Sequence, residues 1–247
     1  MTPGLAVLRN PARAWLLAAW ALVLSACACE PVAPGSAMAH GLWLREHPQA
    51  SPSQSNFYTC STCHALTAAS ANARILPGAP LAGAIARPSF WGGQVRDLLP
   101  AINVCRFWFM DAKQPWLPEQ AEARAVWAWL EVAAPALPEA VTWSAVGSIS
   151  DVPAGQAAAG AQVYQAACAN CHGKLHSGSG RISKQAPILP EEFLAEHQEY
   201  SPQDRRLIGI EKVRHGPFLG YGGRMPPFAR QVLSDAQLAD LLAYLGL

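Results

Sequence analysis

The 247-residue sequence has almost none of the apolar–polar alternation that a half-buried β-strand requires, so a sheet protein is not expected. Charge is sparse too: Asp, Glu, Lys and Arg make up 14% of the chain, and 18 basic residues nearly cancel 17 acidic ones. No basic stripe is visible, which excludes the electrostatic footprint of a nucleic-acid binder. The charge-free apolar run Ala14 to Ala26 stops short of the roughly 18 residues a bilayer-crossing helix needs. No kinase-like, DNA-binding or other output segment can be recognised. Methionine is scarce, with four in all. Proline and glycine, by contrast, are plentiful (21 and 19) and spread along the chain, and 51% of residues are hydrophobic. Together these features predict a loop-rich, all-α protein of short helices with material for an apolar core.

The first 26 residues read as a signal peptide, with Arg9 and Arg13 preceding the apolar run. The run ends Leu24-Ser25-Ala26-Cys27, which resembles the lipobox of bacterial lipoproteins and implies lipidation of Cys27. Cleavage after the small-x-small stretch Ala26-Cys27-Ala28 is the alternative. Both predict export, and lipidation adds attachment to the periplasmic side of a membrane. Residues 27–52 then read as a tether. Loss of the two leader arginines leaves 16 basic against 17 acidic residues, a net charge of −1.

Seven cysteines in an exported protein would ordinarily suggest disulfides. Their spacing suggests another chemistry. Cys60, Cys63 and His64 form CSTCH, and Cys168, Cys171 and His172 form CANCH. A redox dithiol would want a βαβ surround, and zinc would want paired knuckles; neither pattern is present. Cys-x-x-Cys-His is the attachment signature of c-type haem. Thiols at i and i+3 share a helical face and can form thioethers to the two vinyl groups of one haem, while the adjacent imidazole reaches the iron. Two such sites predict two covalent haems c.

Met225 lies in Gly223-Arg224-Met225-Pro226-Pro227-Phe228, which is closely similar to the distal loop of class I cytochromes c. A helix is predicted just beyond, capped by Ser234 and Gln237, with Leu238, Leu241, Leu242 and Leu245 on one face. Shifting these positions back by 115 gives Met110 and the stripe Ala123, Val126, Trp127 and Leu130, with Trp129 in place of Tyr244. This ungapped internal repeat makes Met110 the expected ligand of the first haem. Core filling beside Phe107, Trp108 and Phe109 is the competing role.

Residues 156–247 thus resemble a class I cytochrome c domain, and the whole chain resembles two-domain di-haem cytochromes that pass electrons to periplasmic enzymes. The resemblance implies two tandem helical domains (53–134 and 156–247, joined by a linker 135–155) and His/Met ligation. It also implies a proline-region carbonyl holding each ligating His, at Ala79-Pro80-Leu81 and Ala186-Pro187-Ile188. Gly160 and Tyr164 match the glycine and aromatic of the family's helix crossing, whereas the first repeat shows no equivalent Gly. Cys105, in Ile102-Asn103-Val104-Cys105-Arg106, is faintly similar to the surroundings of a reactive cysteine in sulfur-oxidising cytochromes; inert burial is the alternative. His176, His197 and His215 are rival ligands, and Lys212, Arg214 and Arg224 are candidates to neutralise propionates. The function expected is one-electron relay between a redox protein donor and an acceptor. A haem enzyme, peroxidase-like or sulfur-oxidising, is the alternative.

Overall fold

A computed structural model describes residues 35–67, 74–133, 146–218 and 223–247. The leader, Cys27 and the first part of the expected linker lie outside the described residues. Helices account for the regular structure: α1 (Ala37–Glu46), α2 (Cys60–Cys63), α3 (Leu98–Trp108), α4 (Ala121–Ala133), α5 (Ala157–Val163), α6 (Ala169–His172), α7 (Glu191–Glu196), α8 (Pro202–His215) and α9 (Asp235–Leu245). Among the described residues there is no strand, only the isolated bridges His64–Gly78 and Phe90–Val95. The all-α expectation holds. No helix among these residues is long and apolar enough to cross a membrane.

The C-terminal helix forms as its sequence predicts. Ser234 Oγ accepts from the Gln237 N–H, the Gln237 side chain accepts from the Ser234 N–H, and Gly246 closes the helix in the left-handed region at φ 73°. Leu238, Leu241, Leu242 and Leu245 are all buried. The neighbouring face of α9, carrying Asp240 and Tyr244, packs against α5, where Gly160 permits backbone contact: a Cβ there would stand 2.0 Å from the Asp240 carbonyl oxygen and 2.7 Å from Tyr244 Cβ. The rings of Tyr164 and Tyr244 meet beside the crossing at 5.8 Å, and Tyr164 donates its hydroxyl proton to the Gly173 carbonyl at 2.9 Å. Gly160→Val forces two backbones apart and is expected to cost about 3 kcal/mol of stability, read as a lowered thermal midpoint.

The first half repeats this crossing with residues the sequence reading overlooked. Helix α1 packs against α4, and a Cβ on Gly41 would lie 2.0 Å from the Ala125 carbonyl oxygen and 2.7 Å from Trp129 Cβ. Ala125 and Trp129 sit 115 residues before Asp240 and Tyr244, the same offset that relates the two methionines. The expected tether, 27–52, therefore contains a packed helix, and the first half reaches back at least to Ala37. Its glycine escaped notice because Gly41 lies 19 residues before Cys60, whereas Gly160 lies eight before Cys168 (60 − 41 and 168 − 160). The additional chain is a loop gathered by Asn56, whose side-chain amide donates to the carbonyls of Pro48, Ser51 and Tyr58. On α4, Ala123, Val126 and Leu130 are buried as expected, but Trp127 is exposed and Trp129 fills the interior.

Pro34–Leu247 packs as one unit with two apolar centres, one per half. The described end of the expected linker is fastened to α8: Arg206 donates to Asp151 at 2.7 Å and to the Val152 carbonyl at 3.0 Å. Chain from the two halves also meets directly, through Ile75 N–H to the Ala166 carbonyl at 3.0 Å. Phe218, at the end of α8, stacks edge-on against Trp91, Trp108 and Phe109 of the first half.

Candidate cofactor sites

In the second half, α5 runs through a π-helical turn, Tyr164–Cys168, into α6, which ends on His172. Gly173, at φ 72°, turns the chain away immediately afterwards. His172 is buried, and its Nδ1–H donates to the Pro187 carbonyl at 2.9 Å. Burial holds its pKa below the ordinary value, so the ring is neutral and keeps a lone pair on Nε2 for a metal. Burial pushes the Cys168 thiol up to about 12 and raises that of Cys171 as well. Neither is in a disulfide.

Cys168, Cys171, His172 and Met225 line one cavity of about 530 Å³ together with Phe193, Phe228, Leu241 and Leu242, and Tyr58, Thr62 and Cys63 of the first half border it as well. That volume lies in the range of small-molecule and cofactor sites, roughly 300–1,000 Å³. Two thiols, a neutral imidazole fixed through its other nitrogen, a facing thioether and an apolar wall fit a covalently held haem. The rival histidines do not join them: His176 is exposed and paired with Glu191 at 2.6 Å, and neither His197 nor His215 lines the cavity. Of the propionate candidates, Lys212 and Arg224 line it. Arg214 does not; it is buried as a structural brace, donating to the Phe228 and Leu233 carbonyls at 2.9 and 2.7 Å and to Asp235 at 2.8 Å. That brace fixes the chain just beyond Met225 to α8.

The first half builds the same motif. Thr59 caps α2, accepting from the Thr62 N–H, while the Thr62 hydroxyl accepts from the Thr59 N–H. His64 donates from Nδ1 to a carbonyl at 2.7 Å, that of Ala79 rather than Pro80, whose own carbonyl accepts from Arg87. In both halves the carbonyl is 15 residues beyond the histidine. Gly78 is needed here, because a Cβ would fall 2.4 Å from the imidazole. Burial again lowers the His64 pKa and raises the thiols, Cys60 to about 11 and Cys63 well above its ordinary value.

Met110 is 5% exposed and belongs to the apolar cluster that includes Trp116 and Trp129, against which Leu66 and Leu81 pack. Those two residues flank His64 and Ala79, so the methionine and the attachment motif adjoin one core. Cys105 packs on the same core; burial, then the nearby Cys60 sulfur, raises its thiol to about 12. Sequence reasoning missed Arg106, which is buried, lies 4.0 Å over the Trp116 ring and donates to the Ala50 and Gln114 carbonyls. With Asn103, which bonds both the N–H and the carbonyl of Trp116, it fixes the loop following Met110. Only the polar character of an otherwise apolar helix, α3, could have signalled this.

Residues 155–245 match the family model described as cytochrome c oxidase, cbb3-type, subunit III. This part of the chain is thus a cytochrome c domain, the kind that holds haem c covalently and serves haem-based electron transfer. No curated protein matches the chain. A solved thiosulfate dehydrogenase from Marichromatium purpuratum, in its as-isolated form, is similar at 17% identity and a TM-score of 0.40, over 86% of this chain and 46% of that one. The chain therefore spans less than half of that protein's length.

Proposed function

We propose that this protein is an exported di-haem electron carrier that relays single electrons between a redox protein donor and an acceptor. The observation that carries the reading is the duplicated construction around Cys60–His64 and Cys168–His172: each pair of thiols is followed by a buried imidazole tied to a carbonyl 15 residues on. Haem supplies the one-electron couple. Everything else falls to the chain. Cys60 and Cys63, and Cys168 and Cys171, hold one haem each through thioethers. His64 and His172 are oriented by their carbonyls so that Nε2 faces the metal. Met110 and Met225 would each supply a thioether ligand to the iron, which would raise the potential and keep out exogenous ligands. Such a relay performs no bond chemistry on a substrate, and Cys27 carries a lipid that keeps the haem domains beside a membrane.

Purified full-length protein is expected to contain two haems, and its reduced spectrum is expected not to respond to carbon monoxide. One haem per chain would remove the di-haem reading. A gas response from one haem would reveal an open iron and replace the carrier by a haem enzyme.

A further inference from the structure

The seam between the halves carries an ionic network whose two ends adjoin the two methionines. Arg224 directly precedes Met225, and Asp111 directly follows Met110. Arg224 Nη1 donates to the Ser55 carbonyl at 2.7 Å, while Nη2 lies 3.4 Å from both Ser55 Oγ and Asp111 Oδ1. Asp111 is itself held firmly: Ser53 and Ser55 donate their hydroxyl protons to Oδ2 at 2.6 and 2.5 Å, and Lys113 donates to Oδ1 at 2.6 Å. Its backbone occupies the left-handed region at φ 55°, which aspartate tolerates better than most non-glycine residues. The carboxylate is thus a prepositioned anchor. Arg224 reaches it from a stretch with little regular structure: Gly223 stands at φ 96°, and the chain rejoins its own half through the Phe228 N–H to the Val213 carbonyl at 2.8 Å.

We propose that Asp111 and Arg224 form a latch by which the first half positions Met225, so that the distal loop of one site is set from the other. The proposal rests on the reading of Met225 as a haem ligand. Exposed ion pairs contribute little alone, but here the guanidinium also has a backbone carbonyl and the carboxylate has three further donors, so geometry is fixed before the pair forms. Gly216 brings the start of the same loop against its end, since a Cβ there would stand 2.3 Å from the Met225 carbonyl oxygen. An arm released at Arg224 therefore frees the residue carrying the thioether. Asp111 and Arg224 are positioning residues: neither needs to touch the iron.

The test uses haem-loaded, full-length Arg224→Gln, Asp111→Asn and Arg224→Lys. Amide exchange at Arg224 and Met225 is expected to quicken roughly tenfold in the first two variants and much less in the third. The sulfur-to-iron charge-transfer band should weaken, and the midpoint potential of the second haem should move in the same order. Unchanged exchange and midpoint in both Arg224→Gln and Asp111→Asn would overturn the latch. Wild-type protein without the sulfur–iron band would instead remove Met225 as ligand, and the exchange comparison would still decide whether the loop is held from the first half.

Discussion

Replacing Cys168 and Cys171 together by alanine is expected to halve the haem content and to unfold the second half. The cavity of about 530 Å³ is lined by Cys168, Cys171 and His172, by Leu241 and Leu242 of the second core, and on the first-half side by Tyr58, Thr62 and Cys63. Without haem, apolar side chains built to pack on it are left facing water, a loss on the order of 5 kcal/mol set against a domain stability of roughly 5–15 kcal/mol. Helix α5, seven residues long, has no independent stability to fall back on. The double variant should therefore retain one haem, lose helical circular dichroism, and melt lower by tens of degrees at roughly 4–8 °C per kcal/mol. A variant that keeps two haems, or melts unchanged, would show that this cavity is not where the second haem is held.

Much of that architecture is legible in the sequence, for local reasons. The capping box at Ser234 and the leucine face of α9 depend on residues within a few turns of each other, so spacing alone discloses them, whereas the Gly160–Asp240 crossing, which joins positions 80 residues apart, follows from the family resemblance. The His172–Pro187 bond follows from a resemblance that spans the second half. In the first half the same construction is offset: the acceptor is Ala79, one residue before the expected proline, and the crossing glycine stands at the far end of an enlarged loop. An ungapped repeat finds Met110 and Trp129 because nothing is inserted between them, and it loses Gly41 because something is.

What spacing could not disclose is the seam. Arg224 and Ser55 are 169 residues apart, and Phe218 lies more than 100 residues beyond each of its three aromatic partners. No periodicity connects such positions; only the tertiary fold does. Arg224 and Arg214 look equivalent in the sequence, two arginines near a methionine. The structure separates them by burial: Arg214 is 4% exposed and satisfied by carbonyls of its own half, while Arg224 is turned to the other half. The same contrast explains Arg106, which reads as a surface charge on α3 until the Trp116 ring beneath it is seen.

Met225→Ala and Met110→Ala are each expected to leave both haems attached and to open one iron to carbon monoxide, with the midpoint of the affected haem falling by on the order of a hundred millivolts as the thioether is lost. The two variants should differ in stability. Met225 is half-buried at a cavity wall, so its truncation removes little packing. Met110 is 5% exposed within the first core, and deleting its side chain should cost about 2–5 kcal/mol in addition. Cys105 makes the second experiment decisive. It packs on the same core as Met110, so it is the other sulfur available to the first iron. If Met110 is the ligand, Met110→Ala binds the gas and Cys105→Ala does not. If the responses are exchanged, Met110 is core filling, the first site carries a sulfur of different charge from the second, and the two haems differ in potential by ligand chemistry rather than by surroundings alone.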